Sequence, residues 1–175
     1  MAHEPLSAQT MRKALSALDS RLDRDVSLIV GGGGALALAH GLALSTHDID
    51  AVPRGMSLAE IDGHVKAVAA ELGLPGDWLN PYFSTFSHTL PEDYEGRLIR
   101  VFDGKRLKAD ALGKEEMLIM KCFAGRMKDV SHARALLRKG ADRRFVERHL
   151  EHLLSRGIPG AREAIDFLDE LEDGA

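Results

Sequence analysis

Asp48 and Asp50 in "HDIDAV" stand one residue apart, and four glycines at positions 31–34 lie a short way upstream, directly after the apolar run "VSLIV". Side chains alternate along an extended strand, so both carboxylates are expected on one face. Hard oxygen ligands on one face suit Mg²⁺ or Mn²⁺; Mg²⁺ in particular keeps several waters and bridges one or two carboxylates to substrate phosphates. A strand that passes through glycines into a helix, here "ALALAHGL", presents unpaired backbone N–H groups at the positive end of the helix dipole, where phosphate binds. The two patterns together predict a nucleotide held with its metal. The backbone after Val30, at Gly32, Gly33 and Gly34, would meet the phosphates, and Asp48 and Asp50 the cation. Simpler readings stay open: the glycines can serve close helix–sheet packing, and the aspartates can be the solvated start of a strand.

Metal-assisted phosphoryl chemistry needs a further cation ligand or a base for the incoming nucleophile. Asp110 is the candidate, because in "LKADAL" it falls on the face opposite Leu107, Ala109 and Ala111. Asp103 is the alternative, but it sits beside Gly104 in an expected turn, where Asp is common for local reasons. Lys121 in "LIMKCF" is a charge among apolar residues, and such a lysine is rarely buried without a partner. A phosphate or an Asp would serve; the other reading is that Lys121 snorkels to solvent.

The elements that must position these residues follow from period and punctuation. Met11, Leu15, Leu18 and Leu22 share one helix face, with Ser7 as cap. "VSLIV" predicts a buried strand, residues 35–42 a short helix, and "DIDAV" a second strand stopped by Pro53. "SLAEIDGHVKAVAAELGLP" predicts a helix with a Ser57–Glu60 capping box, a stripe of Ile61, Val65, Val68 and Leu72, and a stop at Gly73 and Pro75. "RLIRVFDG" and "RLKADAL" predict two strands around a turn. "GKEEMLIMKCFAGRMKD" predicts one helix, and at helical spacing Lys121, Gly125, Lys128 and, just beyond the segment, His132 share a stripe. "ARALLRKG", "DRRFVERHLEHLLSRG" and "GAREAIDFLDELED" predict further helices, the last with Ala164, Ile165, Leu168 and Leu171 inward. The expected architecture is α/β (α+β): a small mixed sheet flanked by helices, with a helical C-terminal part. A single domain over residues 1–175 is expected, its sheet core at about 1–112 and its helical part at about 113–175.

Composition bounds the rest. The chain of 175 residues is 45% hydrophobic with a net charge of −4, so there is no global case for nucleic-acid binding. No apolar run approaches the roughly 20 residues that span a bilayer, and no signal peptide is visible, so a cytoplasmic protein without membrane contact is expected. The one cysteine, Cys122, reads as a buried inert thiol. Arg134, Arg138, Lys139, Arg143, Arg144 and Arg148 face few acids in sequence, a patch that suits an RNA backbone but that also suits a solvated helix face.

The strand, glycines, short helix and Asp-x-Asp resemble the nucleotidyltransferase fold, and in particular the AbiEii- and AbiGii-type toxins of bacterial toxin–antitoxin systems. The resemblance covers most of the chain: "VGGGGALALAHGL" with "STHDIDAVP", then "GDWLN", then "LKADALGKEEMLIMKCFAGRMKD". It implies phosphate binding at Gly33 and Gly34 and metal binding at Asp48 and Asp50. It also implies that Lys121, Arg126, Lys128 and Asp129 line the nucleotide site. This sequence carries Leu44 where relatives commonly have Arg, and His132 where they often have a further Asp; in many relatives the position of Asp110 is not acidic.

The leading expectation is a metal-dependent nucleotidyltransferase that moves a nucleoside monophosphate from NTP to an acceptor such as tRNA, other RNA or a protein, with a cognate antitoxin as a further partner. Asp48, Asp50, Asp110 and Lys121 form its expected catalytic set. A non-catalytic nucleotide-binding or partner protein of the same fold is the second class. The third is a dinucleotide-binding enzyme, since Gly32, Gly34 and Ala37 fit G-x-G-x-x-G/A.

Overall fold

A computed structural model describes residues 4–43 and 46–171. The chain divides into two compact units, one comprising the residues up to Thr85 with Leu98–Leu112, the other Phe86–Arg97 with Gly113–Ala175.

The first unit is built on a five-stranded sheet. Its strands are β1 (Val26–Val30), β2 (Ile49–Pro53), β3 (Leu79–Asn80), β4 (Ile99–Asp103) and β5 (Leu107–Ala111). Their order is β3-β2-β1-β5-β4, so β1 is central, antiparallel to β2 and parallel to β5. The apolar run "VSLIV" takes the middle place because Leu28 and Val30 must be buried, and both are fully so. Residues opposite each other across strands share a face. The pairs Ile29↔Val52, Ile29↔Asp110 and Arg100↔Asp110 therefore put Asp50, Val52, Ile29, Asp110 and Arg100 on one face. The other face carries Leu28, Val30, Ile49, Ala51, Leu107 and Ala109, all without solvent exposure. Three helices belong to this unit: α1 (Ala8–Asp19), α2 (Gly32–Leu38) and α3 (Asp62–Leu72).

Local chemistry sets these elements. Ser7 caps α1 through Thr10 N, at 3.1 Å. The capping box of Ser57 and Glu60 is present, but it opens a 3-10 turn, Leu58–Ile61, that runs into α3, and Gly73 in the left-handed region closes the helix. The α2 helix starts earlier and ends sooner than the apolar pattern predicts: the glycines at 32–34 form its first turn. Asp19, at the end of α1, accepts the backbone N–H groups of Lys105, Arg106 and Leu107 at 3.1, 2.7 and 2.7 Å, which fixes the turn between β4 and β5. A cup of successive N–H groups is a natural carboxylate seat.

The second unit is helical: α4 (Lys114–Ala124), α5 (Met127–Arg138), α6 (Arg143–Ser155) and α7 (Ala161–Glu170). One helix was expected over 113–129 and a separate one from Ala133. Instead Gly125, at φ 58, ends α4, and Arg126 begins α5, which continues through "ARALLR". The stripe of Lys121, Gly125, Lys128 and His132 does not exist as one helix face. The segment Phe86–Arg97 joins this unit through Arg97, which donates to Asp93 at 2.8 and 2.9 Å and to the fully buried Glu116 at 2.7 Å.

Candidate functional site

The glycine run and the aspartate pair form one device. Gly32 has φ +54, and a Cβ there would lie 2.1 Å from Oδ2 of Asp50. Only glycine meets both demands, a left-handed backbone and a carboxylate in the space a side chain would fill. Its neighbours are crowded too, though less so: a Cβ on Gly31 would meet Phe83 at 2.8 Å, one on Gly33 would meet Thr46 at 2.9 Å, and one on Gly34 would meet Ile49 at 3.1 Å. The first turn of α2 is thereby pressed onto the aspartate-bearing strand. The backbone agrees, with Gly31 N donating to Asp50 O at 2.8 Å.

Asp48 lies just before β2 rather than within it, where strand pairing no longer dictates its direction. Side chains fix it instead. Thr46 Oγ1 donates to Oδ1 at 3.2 Å and Asn80 Nδ2 to Oδ2 at 3.0 Å. Asn80 is itself oriented, since its Oδ1 accepts Tyr82 N at 3.0 Å. It pairs with Asp50 across β3 and β2, and Trp78, fully buried with its indole N–H on Val65 O at 2.9 Å, anchors that short strand. Sequence reasoning missed Asn80. The signal was the segment "GDWLN", whose tryptophan fixes the strand and whose last residue reaches the aspartates.

Asp110 is 8% exposed and lies on the same sheet face as Asp50, one strand beyond β1. Its carboxylate is held by Arg100 through Nε, with a second contact from Nη2 at 3.4 Å. A bulge between Arg100 and Phe102 bends β4 at that point. The guanidinium is pushed above its ordinary range chiefly by the hydrogen bond to Asp110, although it stays exposed. Asp103 ends β4 rather than occupying a turn; it is exposed and pairs with Arg100 at 3.4 Å and Lys108 at 3.2 Å. Register puts both rivals on the carboxylate face, since Asp103 pairs with Lys108 two residues before Asp110, but only Asp110 is shielded there.

In the helical unit, Lys121 meets an aspartate. Its Nζ donates to Asp129 Oδ1 at 2.6 Å, and Arg126 Nε donates to Asp129 Oδ2 at 2.7 Å. Asp129 is fully buried and Lys121 is 7% exposed, so snorkelling is excluded. Burial holds the lysine ammonium below its ordinary range, against the opposing pull of Asp129. At Asp129 burial works to raise the carboxyl, but the hydrogen bonds of Arg126 and Lys121 prevail and hold it below the usual range. Arg126 and Lys128 are exposed at the start of α5. His132 is half-buried, with its Nδ1 enclosed and unpaired among the described residues. Burial and then the Lys121 charge lower its pKa.

Two members of the basic patch are already used. Arg143 donates to Leu168 O at 2.9 Å and Asp169 at 3.3 Å, and Arg134 to Leu171 O at 3.4 Å, tying α6 and α5 to the C-terminal helix. Leu44 lies outside the described residues. Burial pushes the Cys122 thiol up to about 12, which makes it inert.

The donor set of Asp48 and Asp50 suits a hard divalent ion that completes its shell with phosphate and water. Among the described residues no group of three His, Cys, Asp or Glu is arranged to hold a metal by itself, so a closed protein cage is not the design. The dinucleotide reading fails on topology: it needs parallel strands around the glycine helix, and β1 and β2 are antiparallel.

The chain matches, over residues 9–150, the family described as nucleotidyltransferase of unknown function (DUF6036). It belongs to that family, and the α/β sheet with its flanking helices agrees with a nucleotidyltransferase-like fold. No curated protein and no solved structure matches the chain at a significant level. Among the described residues no helix is long and apolar enough to cross a membrane.

Proposed function

We propose that this protein is a metal-dependent nucleotidyltransferase that transfers a nucleoside monophosphate from NTP to a hydroxyl of RNA or protein. The observation that carries the reading is the contact of Gly32 with Asp50, which sets the first turn of a helix against a paired-aspartate strand. Asp48 and Asp50 would hold Mg²⁺ or Mn²⁺, which neutralises charge on the triphosphate when bound. Asn80 and Thr46 keep Asp48 aimed, and the amides of Gly33 and Gly34 offer donors to phosphate oxygens.

Asp110 would orient the acceptor hydroxyl and take its proton as the oxygen bonds to the α-phosphorus and the bond to the β-phosphate oxygen breaks, releasing pyrophosphate. The motif resemblance also gives Lys121, Arg126, Lys128 and Asp129 a nucleotide-binding role; within the helical unit Lys121 and Asp129 are a fixed pair and Arg126 and Lys128 are exposed cations. Similarity to the AbiEii-type toxins supports a toxin-like role with a cognate antitoxin. A second reading, a non-catalytic nucleotide-binding or partner protein of the same fold, is favoured by one observation: Arg100 already neutralises Asp110.

Incubation with each α-³²P-labelled NTP, Mg²⁺ or Mn²⁺, and total RNA or protein tests the proposal. Label transferred by the wild type and lost in Asp48→Asn and Asp50→Asn supports it. NTP binding without transfer to any acceptor would establish the second reading.

A further inference from the structure

The segment Phe86–Arg97 and α6 with its C-cap line an open pocket of about 410 Å³ that the proposed chemistry does not use. Its polar lining is His88 and Glu92 from the segment and His149, His152 and Arg156 from α6. Leu90 and Leu153, both buried, supply apolar wall. A volume of this order accommodates a small ligand. All of these residues belong to the helical unit, so the inference does not rest on the roles given to Asp48 and Asp50.

The lining selects an anion. His149 Nε2 lies 2.7 Å from Thr89 O, and a carbonyl only accepts, so that nitrogen carries a proton and the ring is fixed. A neutral imidazole has one N–H donor, which His149 donates to Thr89 O, so the donors left for a ligand are those of His88 and His152 and the five of the Arg156 guanidinium. The Arg156 guanidinium and the His152 ring make no hydrogen bond or ion pair among the described residues, unlike the side chains of Arg97 and Arg143 in the same unit. One carboxylate, Glu92, opposes them. The histidines are not a metal cage, because no set of three ligands is assembled among the described residues. A fork donor beside several separate N–H donors matches the oxygens of a phosphate, which accept from several directions at once.

We propose that this cavity binds a phosphoryl group through Arg156 and His152, with His88 beside them. The group is carried by a free phosphorylated compound or by a nucleic-acid strand. The two sources differ in what lies beyond the cavity. Arg144, Arg148, His152 and the C-cap Arg156 recur every four residues, each about 6 Å further along α6 and turned by about 40°, so they wind gradually around the helix. A strand seated at Arg156 would extend its next phosphates along Arg148 and Arg144.

Calorimetric titration of the full chain with inorganic phosphate, and separately with a short single-stranded oligoribonucleotide, tests this. Histidine NMR resonances locate the binding. Phosphate is expected to shift the resonances of His149 and His152, and Arg156→Gln or His152→Gln to weaken phosphate binding about 10-fold. Both positions are exposed, so the fold is kept. If Arg144→Gln and Arg148→Gln also weaken the oligonucleotide, the source is a strand; if they do not, it is a free compound, and either result supports the site. Unchanged phosphate affinity in the Arg156 and His152 variants overturns it. So does the absence of any binding at about 10 mM phosphate, or a response of these imidazoles to Zn²⁺ and not to phosphate.

Discussion

Substituting Gly32 by alanine isolates the contact on which the site depends, and Gly55→Ala is its matched control. Gly32 has φ +54 and Gly55 has φ +71, so each alanine is forced into the left-handed region at a cost of about 1–2 kcal/mol. Nothing lies within 4 Å of a Cβ on Gly55, whereas Asp50 Oδ2 lies 2.1 Å from one on Gly32. The Asp50 carboxylate must therefore move, and overpacking of this kind adds about 1–3 kcal/mol. Urea unfolding followed by Trp78, the only tryptophan and fully buried in the sheet unit, is expected to show a loss of about 2–5 kcal/mol for Gly32→Ala and about 1–2 for Gly55→Ala. In an Asp50→Ala background the excess should vanish. Because a displacement of about 1 Å at a reacting group costs about 10²-fold, Gly32→Ala should also lose nucleotidyl transfer while Gly55→Ala keeps it. Equal losses for the two glycines, or an excess that survives removal of the Asp50 side chain, would refute the contact.

Asp48→Asn should abolish the rise in melting temperature that Mg²⁺ gives in the presence of NTP; an unchanged rise would take Asp48 off the cation. Burial pushes the Asp19 carboxyl up, but hydrogen bonds from the amides of Arg106, Leu107 and Lys105 outweigh it and hold it below its unfolded value. Its contribution is therefore present above about pH 4 and lost as pH falls through the folded value, so Asp19→Asn should flatten the acid limb of a stability–pH curve. A wild-type acid limb in the mutant would sink that account. Asp129→Ala leaves Lys121 buried without its carboxylate and should cost about 3–5 kcal/mol. Lys121→Met should cost less, because Arg126 still pairs with Asp129; the reverse order by urea unfolding would show that the lysine is the keystone. Asp110→Asn should keep NTP binding and lower transfer by about 10²-fold or more, with Asp103→Asn near neutral. Normal transfer by the Asp110 variant would leave the base elsewhere.

Much of the framework is legible in the residues because it is set by local chemistry. Ser7, the Ser57–Glu60 box and the apolar run at Val26–Val30 each act within a few positions, and the structure places them as their patterns predict. Alternation also put Asp110 on the polar side of β5. What escaped depends on contacts distant in sequence. The break at Gly125 is invisible to an apolar period that continues smoothly across it, and what marks it is a left-handed glycine with the N-terminus of a new helix behind it. Asn80 lies in a strand of two residues, too short for any periodicity, and gains its place from β2 and from Trp78. The use of Arg134 and Arg143 to hold a neighbouring helix likewise cannot be read from the sign of a charge run.

The partners of the carboxylates divide their roles in the proposed reaction. Asp48 is held by a threonine hydroxyl and an asparagine amide, both neutral, so its orientation is fixed while its negative charge is left for a cation. Asp110 is held by a guanidinium, which offsets that charge and makes it a poorer metal ligand. This difference supports the proposed division, in which Asp48 and Asp50 would hold the metal with phosphates completing its shell and Asp110 would act on the acceptor. Arg100 is 45% exposed at its side chain and also reaches Asp103, so it can exchange partners without opening the core. An arriving hydroxyl therefore competes with an ion pair whose arginine is open to solvent screening, rather than with one enclosed on both sides. If the Asp110–Arg100 pair were as enclosed as Lys121 with Asp129, the same carboxylate would be a structural fixture and the non-catalytic reading would gain.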